Sequence, residues 1–200
     1  MRNFFIIFIT TLIRRTTKGT ANRLFISLVL VSLFTAVADT VMEGLNAHPP
    51  LSKGELVVAE IALYLYFILR NGIVLLYQLF IFAVTRTMYR MRATWRKALL
   101  CVPYASVLIL LFQNPFTHNV FTFTMENGYE RGPMILYLYV VSIGYVVFGI
   151  GYLATCKRFL DMMKWAALIS MYVLSLFAVL LQFFMQQYVV ELFSTALSFL

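Results

Sequence analysis

One stretch narrows the fold more than any other. From Leu56 to Val84 the only charged residues are Glu60 and Arg70. A helix needs about 20 apolar residues to cross the hydrocarbon core. Comparable charge-free runs occur at 24–38, 98–113, 134–155 and 165–185. A chain that spans lipid must satisfy its backbone hydrogen bonds internally, which leaves helices or a closed barrel. Barrel strands read as short alternating segments of about 10 residues. These runs are continuous, so the expected fold is all-α: a polytopic membrane helix bundle with six to seven spans. Composition agrees, with 62% hydrophobic and 12% charged residues. A soluble domain carries about 25% charge.

The net charge of +8 invites a nucleic-acid reading, but its distribution opposes one. Arg14, Arg15, Lys18 and Arg23 form one basic cluster. Arg86, Arg90, Arg92, Arg96 and Lys97 form a second, and Lys157, Arg158 and Lys164 a third. They occupy alternate connections. The intervening connections hold Glu55, Glu126 and Glu130 against Lys53 and Arg131. That is the positive-inside pattern, with membrane lipid as the expected contact and no nucleic acid. Connections at 14–23, 85–97 and 156–163 are therefore expected inside. Those at 46–55, 113–133 and 183–188 are expected outside, as is the N-terminus.

Expected helices run from about Ala21 to Asn46, Glu55 to Val84, Thr94 to Gln113, Pro133 to Thr155 and Met163 to Phe184. Pro49-Pro50 blocks helix in the first outer connection, and Pro103 is a candidate kink. Residues 1–13 read as a shortened first span rather than a signal peptide, because basic residues follow the apolar run. A last segment begins near Gln187. From Tyr188 to Leu200 it would reach roughly 20 Å, short of the ~30 Å core. These short terminal spans suggest one module of a longer product, a single sensory domain over 1–200 truncated at both ends. Cys101 and Cys156 read as buried small hydrophobes near the inner helix ends, where a structural disulfide is not expected.

The connection 114–133, NPFTHNVFTFTMENGYERGP, is the richest in local signals. From Asn119 to Thr124 the alternation around Val120, Phe121 and Phe123 suits a short strand. Asn127-Gly128 suits a hairpin turn, with a return strand at Tyr129–Arg131. His118, Glu126, Glu130 and Arg131 set polar groups beside aromatic faces, a mix suited to a small molecule. The expected ligand-binding residues in this loop are His118, Phe121, Phe123, Tyr129 and Arg131.

Asp39, Glu60 and Arg70 are ionisable residues within apolar runs. A charge at mid-membrane costs ~3 kcal/mol or more, so it needs a partner or a wet cavity. Asp39 and Arg70 fit either an interhelical polar contact or a ligand or proton site. Both join the candidate ligand residues. His48 and His118 lack a helical ligand partner, so neither a metal nor another cofactor is expected. Gln182, Gln186 and Gln187 suit the interface. Gly144, Gly149 and Gly151 would permit close helix approach, a homodimer among the outcomes.

The order of these residues resembles the multi-helix sensory regions that precede diguanylate cyclase (GGDEF) or histidine kinase domains in bacteria. The seven-helix histidine kinase N-terminal region is the named example. The resemblance rests on Asn114-Pro115-Phe116, His118, Phe121, Asn127-Gly128, Tyr129, Arg131-Gly132-Pro133 and Tyr137, Tyr139 and Tyr145. Asn22-Arg23-Leu24-Phe25 and Asp39 add to it. The likeness implies a sensory input module, multi-pass in the bacterial inner membrane, that passes a small-molecule signal inward. These 200 residues contain no GGDEF loop and no phosphotransfer histidine, so no enzyme activity is expected of them. A small transporter or channel is the alternative. An intramembrane enzyme would need paired acids or an activated nucleophile, and no such pattern occurs.

Overall fold

The computed structural model describes residues 19–46, 52–85, 87, 94–124 and 128–184. It contains α1 (Thr20–Asn46), α2 (Lys53–Val84), α3 (Thr94–Thr117), β1 (Phe121–Thr124), β2 (Gly128–Arg131), α4 (Ile135–Cys156) and α5 (Met162–Phe184). A 3-10 turn at Lys157–Phe159 joins the last two helices. Among the described residues the helices long and apolar enough to cross a membrane number four: Thr20–Leu45, Lys53–Val84, Ala98–Thr117 and Ile135–Cys156. A shorter apolar helix covers Met162–Phe177. The expected first span at 1–13, the Pro49-Pro50 bend, the Glu126-Asn127 turn centre and the segment from Gln187 lie outside the described residues.

Local chemistry sets the helix boundaries. α2 starts two residues before the expected Glu55, because Ser52 and Glu55 form a capping box. The Ser52 N–H and hydroxyl donate to Glu55 Oε2 at 2.8 and 2.7 Å, and the Glu55 N–H returns a bond to Ser52 Oγ at 3.4 Å. α3 passes the expected stop at Gln113 and runs through both Pro103 and Pro115 to Thr117. Each proline removes one ladder donor, and the helix continues past both. The stop comes at His118, whose φ of 51° takes the chain out of the helix. Its N–H donates to the Asn114 carbonyl at 2.8 Å, closing the last turn. α4 begins at Ile135 rather than Pro133, after a turn in which the Ile135 N–H reaches the Gly132 carbonyl.

The chain divides into two compact units. The first comprises 1–29, 76–94 and 143–200. There Tyr77 donates to the Leu168 carbonyl at 2.8 Å, and Tyr172 donates to Gln78 Oε1 at 2.5 Å. The Tyr77 and Tyr172 rings meet edge to face at 4.6 Å. Tyr172 passes against Gly149, where an added Cβ would lie 2.0 Å from the phenol oxygen. Gly149 therefore accommodates a neighbour within the chain, not an open dimer face. Tyr152 hydrogen-bonds Thr85 and Thr87 and packs edge-on against Phe82.

The second unit comprises 30–75 and 95–142 and contains the hairpin. Tyr104 donates to the Ile68 carbonyl at 3.1 Å, tying α3 to α2. Ser142 donates to Asn71 Oδ1 at 3.0 Å, tying α4 to α2. Of the two cysteines expected to be buried, Cys101 is exposed on α3 and Cys156 is half-buried; both are free thiols.

Candidate ligand-binding site

The hairpin is antiparallel and pairs Phe121 with Arg131, Thr122 with Glu130, Phe123 with Tyr129 and Thr124 with Gly128. Directly opposed residues share a face. One face thus carries Phe121, Phe123, Tyr129 and Arg131, and the other carries Thr122, Thr124 and Glu130. Phe121 and Phe123 are buried, whereas Thr124 and Glu130 are exposed. Beyond the strands, Gly132 and Met134 donate to the Val120 and Asn119 carbonyls at 2.9 and 2.8 Å. Gly132 lies so close to that backbone that an added Cβ would sit 2.1 Å from the Asn119 oxygen.

Asn114 fastens the hairpin to α3. Its Oδ1 accepts the Val120 and Phe121 N–H groups at 2.8 and 3.3 Å. Its Nδ2 donates to the Phe121 carbonyl at 3.0 Å and to the Tyr64 hydroxyl at 3.2 Å. The carboxamide is 2% exposed, so these bonds replace water for it and for the hairpin backbone.

The expected ligand residues divide into two groups. Phe121 stacks on Phe67 at 5.5 Å and meets Tyr64 edge-on at 4.8 Å. Phe123 packs with Ala59, Leu45, Leu56 and Tyr129. Both phenylalanines pack the hairpin against helices. His118 is exposed and serves as the stop of α3. Tyr129, Arg131 and Arg70 form the polar side of the arrangement. Arg131 hydrogen-bonds the Tyr129 phenol, and Arg70 acts on the same group electrostatically. Burial pushes the Tyr129 phenol up to about 12, with Arg131 opposing the rise. The hydroxyl is therefore neutral at ordinary pH.

Arg70 is buried on α2. Its guanidinium carbon lies 4.9 Å from the Tyr139 ring centre and 5.6 Å from that of Tyr66. Aromatic faces stabilise a desolvated cation by about 2 kcal/mol. Tyr66 and Tyr139 thus form part of the arginine's environment. Beside Arg70, Asn71 accepts from Ser142 through Oδ1 and donates to the Phe67 carbonyl at 3.0 Å. Asp39 is buried on α1 in the same unit, while Glu60 is exposed. The roles of Asn114, Tyr66 and Tyr139 were not assigned from sequence. The one available signal was an asparagine at the edge of an apolar run beside a strand pattern.

The described residues contain no group of His, Cys, Asp and Glu arranged to hold a metal ion. The unit combines buried cationic and phenolic groups with a two-faced hairpin held by one carboxamide. No family model, curated protein or solved structure matches this chain.

Proposed function

We propose that the chain is the membrane-embedded input module of a bacterial signalling protein of the diguanylate cyclase or histidine kinase type. In this reading it lies in the inner membrane with six to seven spans, and the hairpin unit receives a small-molecule stimulus. The carrying observation is the attachment of the hairpin through Asn114. A ligand that shifts the strands must also shift a buried carboxamide on α3. Tyr129 and Arg131 on the hairpin face, with Arg70 acting on the same phenol, supply the recognition chemistry. A transporter of the discontinuous-helix type places its site where spans are broken. Among the described residues α3 continues through both of its prolines, which favours the sensor reading.

The test uses the gene product containing residues 1–200 and its output domain. Residues 119–131 are replaced by a Gly/Ser linker. Membrane insertion should persist, and the change in cyclic-dinucleotide synthesis or autophosphorylation on stimulation should disappear. An unchanged response removes the hairpin from the sensory site. Solute flux in proteoliposomes made with residues 1–200 would establish the transporter alternative.

A further inference from the structure

The corner between α4 and α5 combines exposed cations, an anchored indole and exposed apolar side chains. Lys157, Arg158 and Lys164 are exposed, and Asp161 is the acidic residue among them. Trp165 Nε1 donates to the Leu153 carbonyl at 3.0 Å. That carbonyl is in the last turn of α4, where ladder donors run out. The bond folds the indole back across the corner. Lys157 Nζ lies 4.9 Å from the indole ring centre, so one cation is held beside an oriented aromatic ring. Met162 and Met163, between the basic residues, are 66% and 82% exposed.

The geometry points to a binding site for an anionic phospholipid headgroup at this corner. Lys157, Arg158 and Lys164 provide the charge for the phosphate. Trp165 has the amphipathic ring that favours the membrane interface, and Met162 and Met163 provide apolar contact for the upper acyl chains. This combination selects a lipid over a free phosphate, which offers the methionines nothing. It also opposes a nucleic-acid partner, because the corner joins the candidate span α4 to the apolar helix α5. Juxtamembrane cations attract anionic lipid by about 1 kcal/mol each, close to a fivefold change in affinity. Asp161 opposes part of that attraction.

The test follows Trp165 fluorescence in the full chain carrying Trp95→Phe, since the protein has 2 tryptophans. Protein in neutral detergent is titrated with phosphatidylglycerol or phosphatidylcholine. Phosphatidylglycerol should change the emission saturably and bind at least tenfold more tightly than phosphatidylcholine. Added salt should weaken that preference. Arg158→Gln should weaken phosphatidylglycerol binding about fivefold, and Lys157→Gln/Arg158→Gln/Lys164→Gln about a hundredfold. Circular dichroism checks the fold of each variant. If the triple variant is misfolded, Arg158→Gln and the salt dependence of the parent decide the matter. Equal binding of both lipids, or unchanged affinity in Arg158→Gln, overturns the proposal. So does displacement of the lipid by inorganic phosphate at an equal concentration, which would identify a free-anion site.

Discussion

At the scale of single residues, Asn114 carries more of the hairpin's placement than any aromatic residue singled out from sequence. Its carboxamide satisfies both N–H groups and a carbonyl at the start of β1. An unsatisfied buried polar group costs about 1–3 kcal/mol. Asn114→Leu should therefore destabilise the hairpin unit by about 3 kcal/mol, seen as a lower thermal midpoint in detergent and faster amide exchange at Val120 and Phe121. Unchanged exchange at both amides would show that the carboxamide is dispensable. Gln78 supplies the opposite case. It is fully buried, its Oε1 accepts from Tyr172, and its Nε2 has no hydrogen-bond partner among the described residues. Removing the acceptor alone strands the phenol, whereas removing both partners eliminates the polar mismatch. Gln78→Met should cost about 1–2 kcal/mol. Adding Tyr172→Phe should recover most of that loss in a double-mutant cycle read by thermal unfolding. Strictly additive losses would contradict the coupling.

At the scale of elements, the sequence signals that succeeded were periodic or local. Alternation around Val120, Phe121 and Phe123, followed by Asn127-Gly128, located the hairpin, with β1 starting two residues after the expected Asn119 and β2 one residue before the expected Tyr129. The apolar runs located α1 to α5 with ends within two residues of those expected, except the end of α3, which lies four residues past Gln113. What escaped was anything set by a distant partner. Pro115 suggested a stop, yet α3 continues to Thr117 and its exit is the left-handed His118. Cys101 has the apolar character of a core residue, but its helix turns that side outward. Phe121 and Phe123 have the composition of a binding face; Phe121 packs on Tyr64 and Phe67, and Phe123 on Leu45, Leu56, Ala59 and Tyr129. Gly132 illustrates the same limit, because its need for close approach depends on Asn119, thirteen positions earlier. The atoms an added Cβ would strike there are backbone, so side-chain rearrangement cannot relieve the contact. Gly132→Ala should open the end of the hairpin and cost about 3 kcal/mol. Limited proteolysis between residues 119 and 134 would report the opening. A cleavage rate equal to that of Gly144→Ala, a site with no atom within 4 Å of an added Cβ, would refute it.

At the scale of the whole molecule, charge placement leads to a topology. Lys157, Arg158 and Lys164 follow α4, whereas the hairpin precedes it. If α4 crosses the membrane, these features face opposite sides, and the positive-inside rule assigns the basic corner to the interior. Applied to the other basic clusters, the same rule assigns 14–23 and 85–97 to the interior and 113–133 to the exterior. A functional consequence follows: a stimulus at Tyr129 or Arg131 would arrive from outside, while the basic corner would meet the inner leaflet. The check begins with a chain in which Cys101 and Cys156 are replaced by Ser. Asn127→Cys should react with a membrane-impermeant maleimide on intact cells, and Arg158→Cys only after the membrane is opened. Arg158 is one charge among several in the basic clusters, so this substitution should leave the orientation in place. The reverse labelling pattern would invert the topology and move the proposed stimulus site to the cell interior. Labelling of both positions on intact cells would show that α4 does not separate them, and the membrane-crossing reading of that helix would fail.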